Sequence, residues 1–131
     1  MRPCQACAAL VLILGADLAV AAEDRPLTPA EARKKVGAKV TVEMTVRAAK
    51  DRLQKRGEIY LDSEEDFKDQ KNFAVVITRA GAASLKAAGI GSPAEHFKDK
   101  KLRATGTVKE VEKVPRIDLD DARQIRLVES K

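Results

Sequence analysis

The sequence predicts a mainly β domain of five short strands, with one short helix before the first strand and another between the third and fourth. Short apolar segments show the two-residue alternation of strands that bury one face. Polar stretches of varied length separate these segments, and capping motifs mark helix starts. Aromatic residues make up only 3% of the 131 residues, and Trp is absent. The interior must therefore be built from Val, Ile, Leu and Ala.

The first 22 residues have the pattern of an export signal. Arg2 and the amino terminus supply a short positive region, residues 6–14 form an unbroken apolar run, and residues 19–21 have the small-x-small form of a signal-peptidase site. We therefore predict a signal peptide over residues 1–22.

The apolar run is too short to be a membrane anchor. A spanning helix needs about 20 apolar residues, and Gly15 and Asp17 interrupt the segment earlier than that. The expected mature chain, residues 23–131, is a single domain that is secreted or periplasmic and has no membrane span after cleavage. Cleavage would also remove Cys4 and Cys7, the two cysteines of the chain.

The N-terminal helix and first strand carry the clearest local signals. Thr28 and Glu31 stand at capping-box spacing, with Pro29 at the first helical position, which predicts a helix from Pro29 to Val36. Four apolar residues then alternate with polar ones and predict the first strand, namely Val40, Val42, Met44 and Val46.

The remaining predicted elements follow in order along the chain. Strands are expected over residues 58–61, 72–78 and 101–111 and from Pro115 onward, and residues 124–128 either continue the fifth strand or add a short segment. A helix is expected over residues 81–88, and Ser92 with Glu95 forms a second capping-box candidate. Gly106 suits a bend in the fourth strand.

Most catalytic and metal chemistries are excluded by composition. The chain has one histidine, His96, and no nucleophile motif or phosphate-binding glycine loop accompanies it. The acidic run at residues 62–66 lacks the glycine of a calcium loop, so it is interpreted as an exposed charged turn. We expect no enzymatic activity, no cofactor and no metal site. The chain has 25 basic and 20 acidic residues, a formal charge of +5, and the expected mature domain keeps that charge.

Three strands, a helix and two further strands is the order of the OB-fold, a five-stranded Greek-key barrel. Four segments of this chain resemble small bacterial OB-fold domains related to the anticodon-binding and nucleic-acid-binding OB families: LTPAEA (27–32), VGAKVTVE (36–43), FAVVI (73–77) and FKDKKLRATG (97–106). The leader, the size and the C-terminal strand also resemble secreted bacterial OB-fold proteins associated with stress tolerance. The acidic run at residues 62–66 departs from the glycine-containing link of the first group.

Members of this fold bind oligomers on strands two and three, between the loops that join strands one to two and four to five. Here both loops, at residues 47–56 and 109–116, are basic and would attract a polyanion. The candidate ligand-binding residues are Arg47, Lys50, Arg52, Lys55, Arg56, Tyr60, Lys109, Lys113 and Arg116.

Two functions remain open from the sequence. The first is a non-enzymatic, exported binding module for nucleic acid or another acidic polymer. The alternative is an envelope protein-interaction or small-ligand and cation-binding module, in which the acidic run or a strand edge makes the contact. The predicted export makes nucleic acid a less favoured ligand among the polyanions, because exported proteins more often meet anionic polysaccharide, lipid headgroups and other proteins.

Overall fold

Strands dominate the computed structural model, which describes residues 25–128. Within that range it has seven strands: β1 (Lys39–Thr45), β2 (Ala48–Arg52), β3 (Glu58–Asp62), β4 (Ala74–Thr78), β5 (Lys101–Val111), β6 (Val114–Leu119) and β7 (Ile125–Leu127). The same range has four short α-helices, α1 (Pro29–Ala32), α2 (Leu53–Arg56), α3 (Arg79–Ala87) and α4 (Pro93–Phe97), and one 3₁₀ turn at Ala122–Gln124. The predicted signal peptide lies outside the described residues.

The seven strands form one sheet in the order β1-β5-β6-β4-β3-β2, and β7 pairs with β5. All pairs are antiparallel except β4 with β6. The two ends of this order, β1 and β2, follow each other directly in the chain through Val46 and Arg47. The chain is therefore mainly β and OB-like, as predicted, but the described range has seven strands in one sheet where five were expected.

The two predicted basic loops are regular structure instead. Residues 47–56 contain β2 and the single-turn helix α2, because the backbone from Ala48 to Arg52 pairs with β3. Residues 109–116 are a β-hairpin with a two-residue turn at Glu112 and Lys113, whose φ angles are 52° and 69°. Positive φ at both positions is what a tight hairpin requires, although neither residue favours it. Both basic segments are thus held on rigid hairpins.

The helix predictions are confirmed in part. Thr28 caps α1 as a capping box, since its hydroxyl accepts from the Glu31 amide at 3.1 Å and its own amide donates to the Glu31 carboxylate at 3.0 Å. The helix ends at Ala32 rather than Val36. The second capping box is wrong, because the Ser92 side chain makes no capping hydrogen bond. The preceding helix, α3, does have a side-chain cap, because the Thr78 hydroxyl accepts from the Gly81 amide at 3.2 Å.

Aliphatic side chains from both halves of the sheet fill the core, as expected, and two phenylalanines, Phe73 and Phe97, are its largest members. Full burial of such a side chain contributes about 1.5–3 kcal/mol. Gly106, where the sequence predicts a bend, is a point of close packing between β5 and β6. A Cβ on Gly106 would lie 2.5 Å from Cγ2 of Ile117, so only glycine lets β5 cross β6 this closely. The core thus fixes the sheet whose outer face carries the candidate site.

Candidate functional site

Side chains on the outer face of the sheet line a cleft. Neighbouring residues of a strand point to opposite faces, so the packing of Ile59, Leu61 and Val75 in the core places Tyr60 and Val76 on the other face. Both line the cleft, where Tyr60 is half-buried and Val76 is fully buried. Tyr60 is the register partner of Lys50 on one side and of Val76 on the other. This row of three residues crosses the middle of the cleft.

The cleft has a volume of about 940 Å³. Its floor consists of outward side chains of β3, β4 and β6. Its walls are β2 with α2, the β5–β6 turn, residues 67–72 and Arg33, which follows α1. Eight basic and four acidic side chains line it, so positive charge is in excess. Both predicted basic segments contribute to these walls, on opposite sides of the floor.

Two of the eight basic residues are engaged within the protein. Arg116, whose side chain is only 12% exposed, pairs with Glu58 at 3.0 Å and with Asp118 at 2.9 Å. Arg33 donates to the carbonyl oxygen of Asn72 at 2.5 Å. The other six are exposed and form no salt bridge within residues 25–128: Lys50, Arg52, Lys55, Arg56, Lys68 and Lys113. These six residues, the rim cations, are available to an anionic ligand.

A hydrogen-bond network holds Tyr60 on the floor. Its hydroxyl donates to Oε1 of Glu58, whose other carboxylate oxygen accepts from Arg116. Burial raises the pKa of Tyr60, and the hydrogen bond to Glu58 raises it further. The phenol is protonated at neutral pH, and its hydrogen bond to Glu58 holds the ring in position. The Glu58 carboxylate forms an ion pair with Arg116, which offsets its negative charge within the cleft.

A second aromatic ring stands at the edge of the cleft. Phe67 is 45% exposed, which is unusual for a large apolar side chain. Nζ of Lys50 lies 4.7 Å from its ring centroid, and Nζ of Lys68 lies 5.8 Å from it. Both separations are within cation–π range. The cleft thus combines two aromatic faces, Tyr60 and Phe67, with ammonium groups beside one of them.

The start of the acidic run is buried, which corrects the prediction of an exposed turn. Asp62 and Ser63 are 3% and 5% exposed, because β3 extends through Asp62 and the Asn72 side chain bonds to this segment. Nδ2 of Asn72 donates to Oδ1 of Asp62 at 3.0 Å, and Oδ1 of Asn72 accepts from the Glu64 amide at 3.0 Å. Burial raises the pKa of Asp62, and the bond from Asn72 and the charge of Lys50 oppose that rise.

Seven of the nine candidate residues from the sequence line the cleft, and two do not. Arg47 is exposed between β1 and β2, outside the lining. Lys109 is turned to Asp118, with 2.6 Å between Nζ and Oδ2. Several lining residues are not among those nine candidates, namely Arg33, Asp62, Phe67, Lys68 and Asn72. For Phe67 the one available signal was a lone aromatic residue within a charged segment.

The arrangement favours binding. Its cations attract anions, and its aromatic faces offer stacking surfaces. Among residues 25–128, no three His, Cys, Asp or Glu side chains are grouped so as to hold a metal ion. His96 lies on α4 against Phe97 and does not line the cleft.

No helix in the described range has the length and apolar character needed to cross a membrane.

Comparisons with known proteins identify the fold. No family model matches the sequence, and no curated protein matches it either. Among solved structures, asparaginyl-tRNA synthetase from Pyrococcus horikoshii in complex with asparaginyl-adenylate has a TM-score of 0.54 at 12% identity, over 82% of this chain and 23% of that chain. A candidate aspartyl-tRNA synthetase from Leishmania major has a TM-score of 0.53 at 12% identity, over 82% and 21%.

An OBody bound to hen egg-white lysozyme has a TM-score of 0.54 at 15% identity, over 82% of this chain and 96% of that chain. This chain therefore matches nearly the whole OBody but spans less than a quarter of the two synthetases. At these identities the likeness establishes an OB-like fold.

Proposed function

We propose that this chain is a non-catalytic OB-fold module that binds single-stranded nucleic acid in the cleft. In this proposal β1 and β2 are two halves of one bent strand that closes a five-stranded Greek-key barrel, and residues 1–22 direct export to the periplasm or the medium. The observation that carries the proposal is the pairing of six rim cations with two aromatic rings in one cleft, the exposed Phe67 and the half-buried Tyr60. The fold is the one shared with parts of two proteins described as tRNA synthetases.

The physical basis is the match between the cleft and a single strand. Phosphates bind to flexible cations and release counterions, which gives sequence-independent affinity. Unpaired bases stack on aromatic rings, and each such contact contributes about 1–3 kcal/mol. A duplex would hide its base faces from Tyr60 and Phe67. An acidic polysaccharide would use the cations but has no flat aromatic faces to stack on the rings.

Salt dependence of binding tests the electrostatic part. Each phosphate contact on a single strand contributes about −0.7 to the slope of log K against log salt. Six rim cations therefore predict a slope of up to about −4 for a mixed-sequence 12-nucleotide DNA, measured by fluorescence anisotropy from 50 to 200 mM NaCl. Replacing Arg52, Arg56 and Lys113 with Ala should make the slope shallower by about 2.

A matched variant separates the cleft from net charge. Lys34, Lys86 and Lys98 are exposed and do not line the cleft, so their replacement by Ala removes the same charge elsewhere. This control should keep most of the wild-type slope. Equal losses in the two triple variants, or no binding at 50 mM NaCl, would contradict the proposed site.

The aromatic rings distinguish nucleic acid from other polyanions. Phe67→Leu should weaken DNA binding roughly tenfold, within the range of a lost stacking contact, and leave the salt slope unchanged. Chondroitin sulfate serves as the comparison ligand. If it binds as tightly as DNA, and if Phe67→Leu affects neither ligand, the site is a general polyanion site and the nucleic-acid proposal is wrong.

A further inference from the structure

The most buried charged residue of the cleft lining is a carboxylate, although the rim is cationic. Asp62 is 3% exposed and belongs to the cleft lining. It stands two residues after Tyr60 on β3, so both side chains point to the same face, about 7 Å apart along the strand. A negative charge at this depth repels phosphates. A bound strand would therefore keep its backbone at the rim and direct its bases to the floor.

The carboxylate is fixed but incompletely hydrogen-bonded. Among the described residues, Oδ1 of Asp62 accepts from Nδ2 of Asn72, and Oδ2 accepts no hydrogen bond. The amide oxygen of Asn72 is occupied by the Glu64 amide and by the Ser63 hydroxyl, so its orientation is set. No salt bridge neutralises Asp62 within residues 25–128. No buried side-chain oxygen in the described range lacks a hydrogen-bond partner, so Oδ2 is accessible from the cleft and can accept from a ligand that donates hydrogen bonds.

We propose that Asp62 is a base-specificity residue that accepts hydrogen bonds from the N1–H and N2–H groups of a guanine placed beside Tyr60. This inference rests on the proposed nucleic-acid function. A carboxylate has two acceptor oxygens and can receive two parallel donors. Guanine presents two adjacent donors on its Watson–Crick edge, whereas adenine and cytosine present one amino group and thymine one imino group. Guanine is therefore the base that completes the bonds of Asp62.

The test compares single base changes in a constant strand. The probes are dT decamers that carry one central dG, dI, dA or dC, and the readout is the dissociation constant by fluorescence anisotropy at 50 mM NaCl. The dG decamer should bind roughly tenfold more tightly than the dA and dC decamers, as expected for a bidentate contact. The dI decamer, which lacks the N2 amino group, should be intermediate.

Asp62→Asn tests the residue directly. The Asn oxygen can still accept from Asn72, so the floor keeps its shape, while the amide presents donors to the cleft instead of acceptors. The preference for dG should disappear, and the salt slope should stay within the wild-type range. Glu112→Gln is the control, because it neutralises an exposed carboxylate at the edge of the same cleft. Glu112→Gln should keep the dG preference.

The outcomes separate this inference from the function on which it rests. Equal affinity of wild type for all four decamers, with a normal salt slope, would overturn the role of Asp62 and leave nucleic-acid binding standing. Persistence of the dG preference in a folded Asp62→Asn variant would overturn it as well. Absence of binding to every decamer would overturn both. Thermal unfolding of each variant shows that it is folded before its affinity is interpreted.

Discussion

Replacing Gly81 with Ala changes the stability of the protein in two opposite directions. Alanine is the better helix former, but its Cβ has no room at this position. Gly81 lies in the first turn of α3, where that helix meets the end of β6. Alanine in a helix interior is favoured over glycine by about 1 kcal/mol. A Cβ at position 81 would, however, lie 2.0 Å from the carbonyl oxygen of Leu119 and 3.2 Å from Cγ2 of Ile77.

The packing cost exceeds the propensity gain. Ordinary contact begins near 3.4 Å, so the helix and the strand would have to separate by about 1.4 Å. The clashing atom belongs to the backbone, and the Leu119 carbonyl also accepts from the Thr78 hydroxyl at 3.2 Å. Overpacking of this kind costs about 1–3 kcal/mol. We expect a value near the upper end and a net loss of about 1–2 kcal/mol.

Thermal and urea unfolding followed by circular dichroism measure this loss. For a domain of this size, 1 kcal/mol corresponds to about 4–8 °C in Tm. Gly91→Ala is the matched control, because no atom lies within 4 Å of its added Cβ, and it should change stability by less than about 0.5 kcal/mol. A Gly81→Ala protein as stable as wild type would refute the close contact of α3 with β6, which supports the parallel β4–β6 pair under the cleft.

Three further predictions concern the turn, the floor and the first helix. Lys113→Gly should raise the free energy of unfolding by up to about 1 kcal/mol in urea, because glycine adopts the positive φ of the hairpin turn without strain. The same variant should bind DNA more weakly in fluorescence anisotropy. A destabilised variant would contradict the turn geometry. Burial raises the pKa of Asp62, so the folded state holds that proton more tightly and stability falls as pH rises from the ordinary value of 3.8 through the folded pKa. Asp62→Asn has no carboxyl group at this position, so its stability should not fall in this way. The Tm of the variant minus the Tm of wild type should therefore increase from pH 3.5 to pH 7. A Tm difference that does not change with pH would argue against the burial of Asp62. Thr28→Ala should cost about 1 kcal/mol in urea unfolding by loss of the capping box, and an unchanged midpoint would contradict that cap.

Patterns that one segment carries by itself could be predicted from the sequence. The strand over residues 101–111 is observed with the same bounds, and Phe73, in the segment predicted as the third strand, is buried in the core. The capping box of Thr28 needs only residues three positions apart. In each case the alternation or the cap lies within a few neighbouring residues, so the local sequence contains the information.

Features that depend on distant partners could not be predicted. Residues 48–52, Ala-Ala-Lys-Asp-Arg, have no apolar alternation and are a strand because β3 pairs with them. Arg116 has the character of a rim cation in the sequence, but Glu58, 58 positions away, draws it into the floor. Asp62 is buried through Asn72, ten residues later. Contacts with residues distant in the sequence determine the structure at these positions, and the neighbouring residues contain no signal for those contacts.

NMR chemical shifts show which residues of the protein the bound strand contacts. In a titration of the ¹⁵N-labelled protein with the dG-containing decamer, the largest amide shifts should fall on Lys50, Tyr60 and Val76, the row across the cleft. Shifts concentrated instead at the exposed Lys98 and Arg126, outside the cleft, would show that the strand binds elsewhere and would contradict the account.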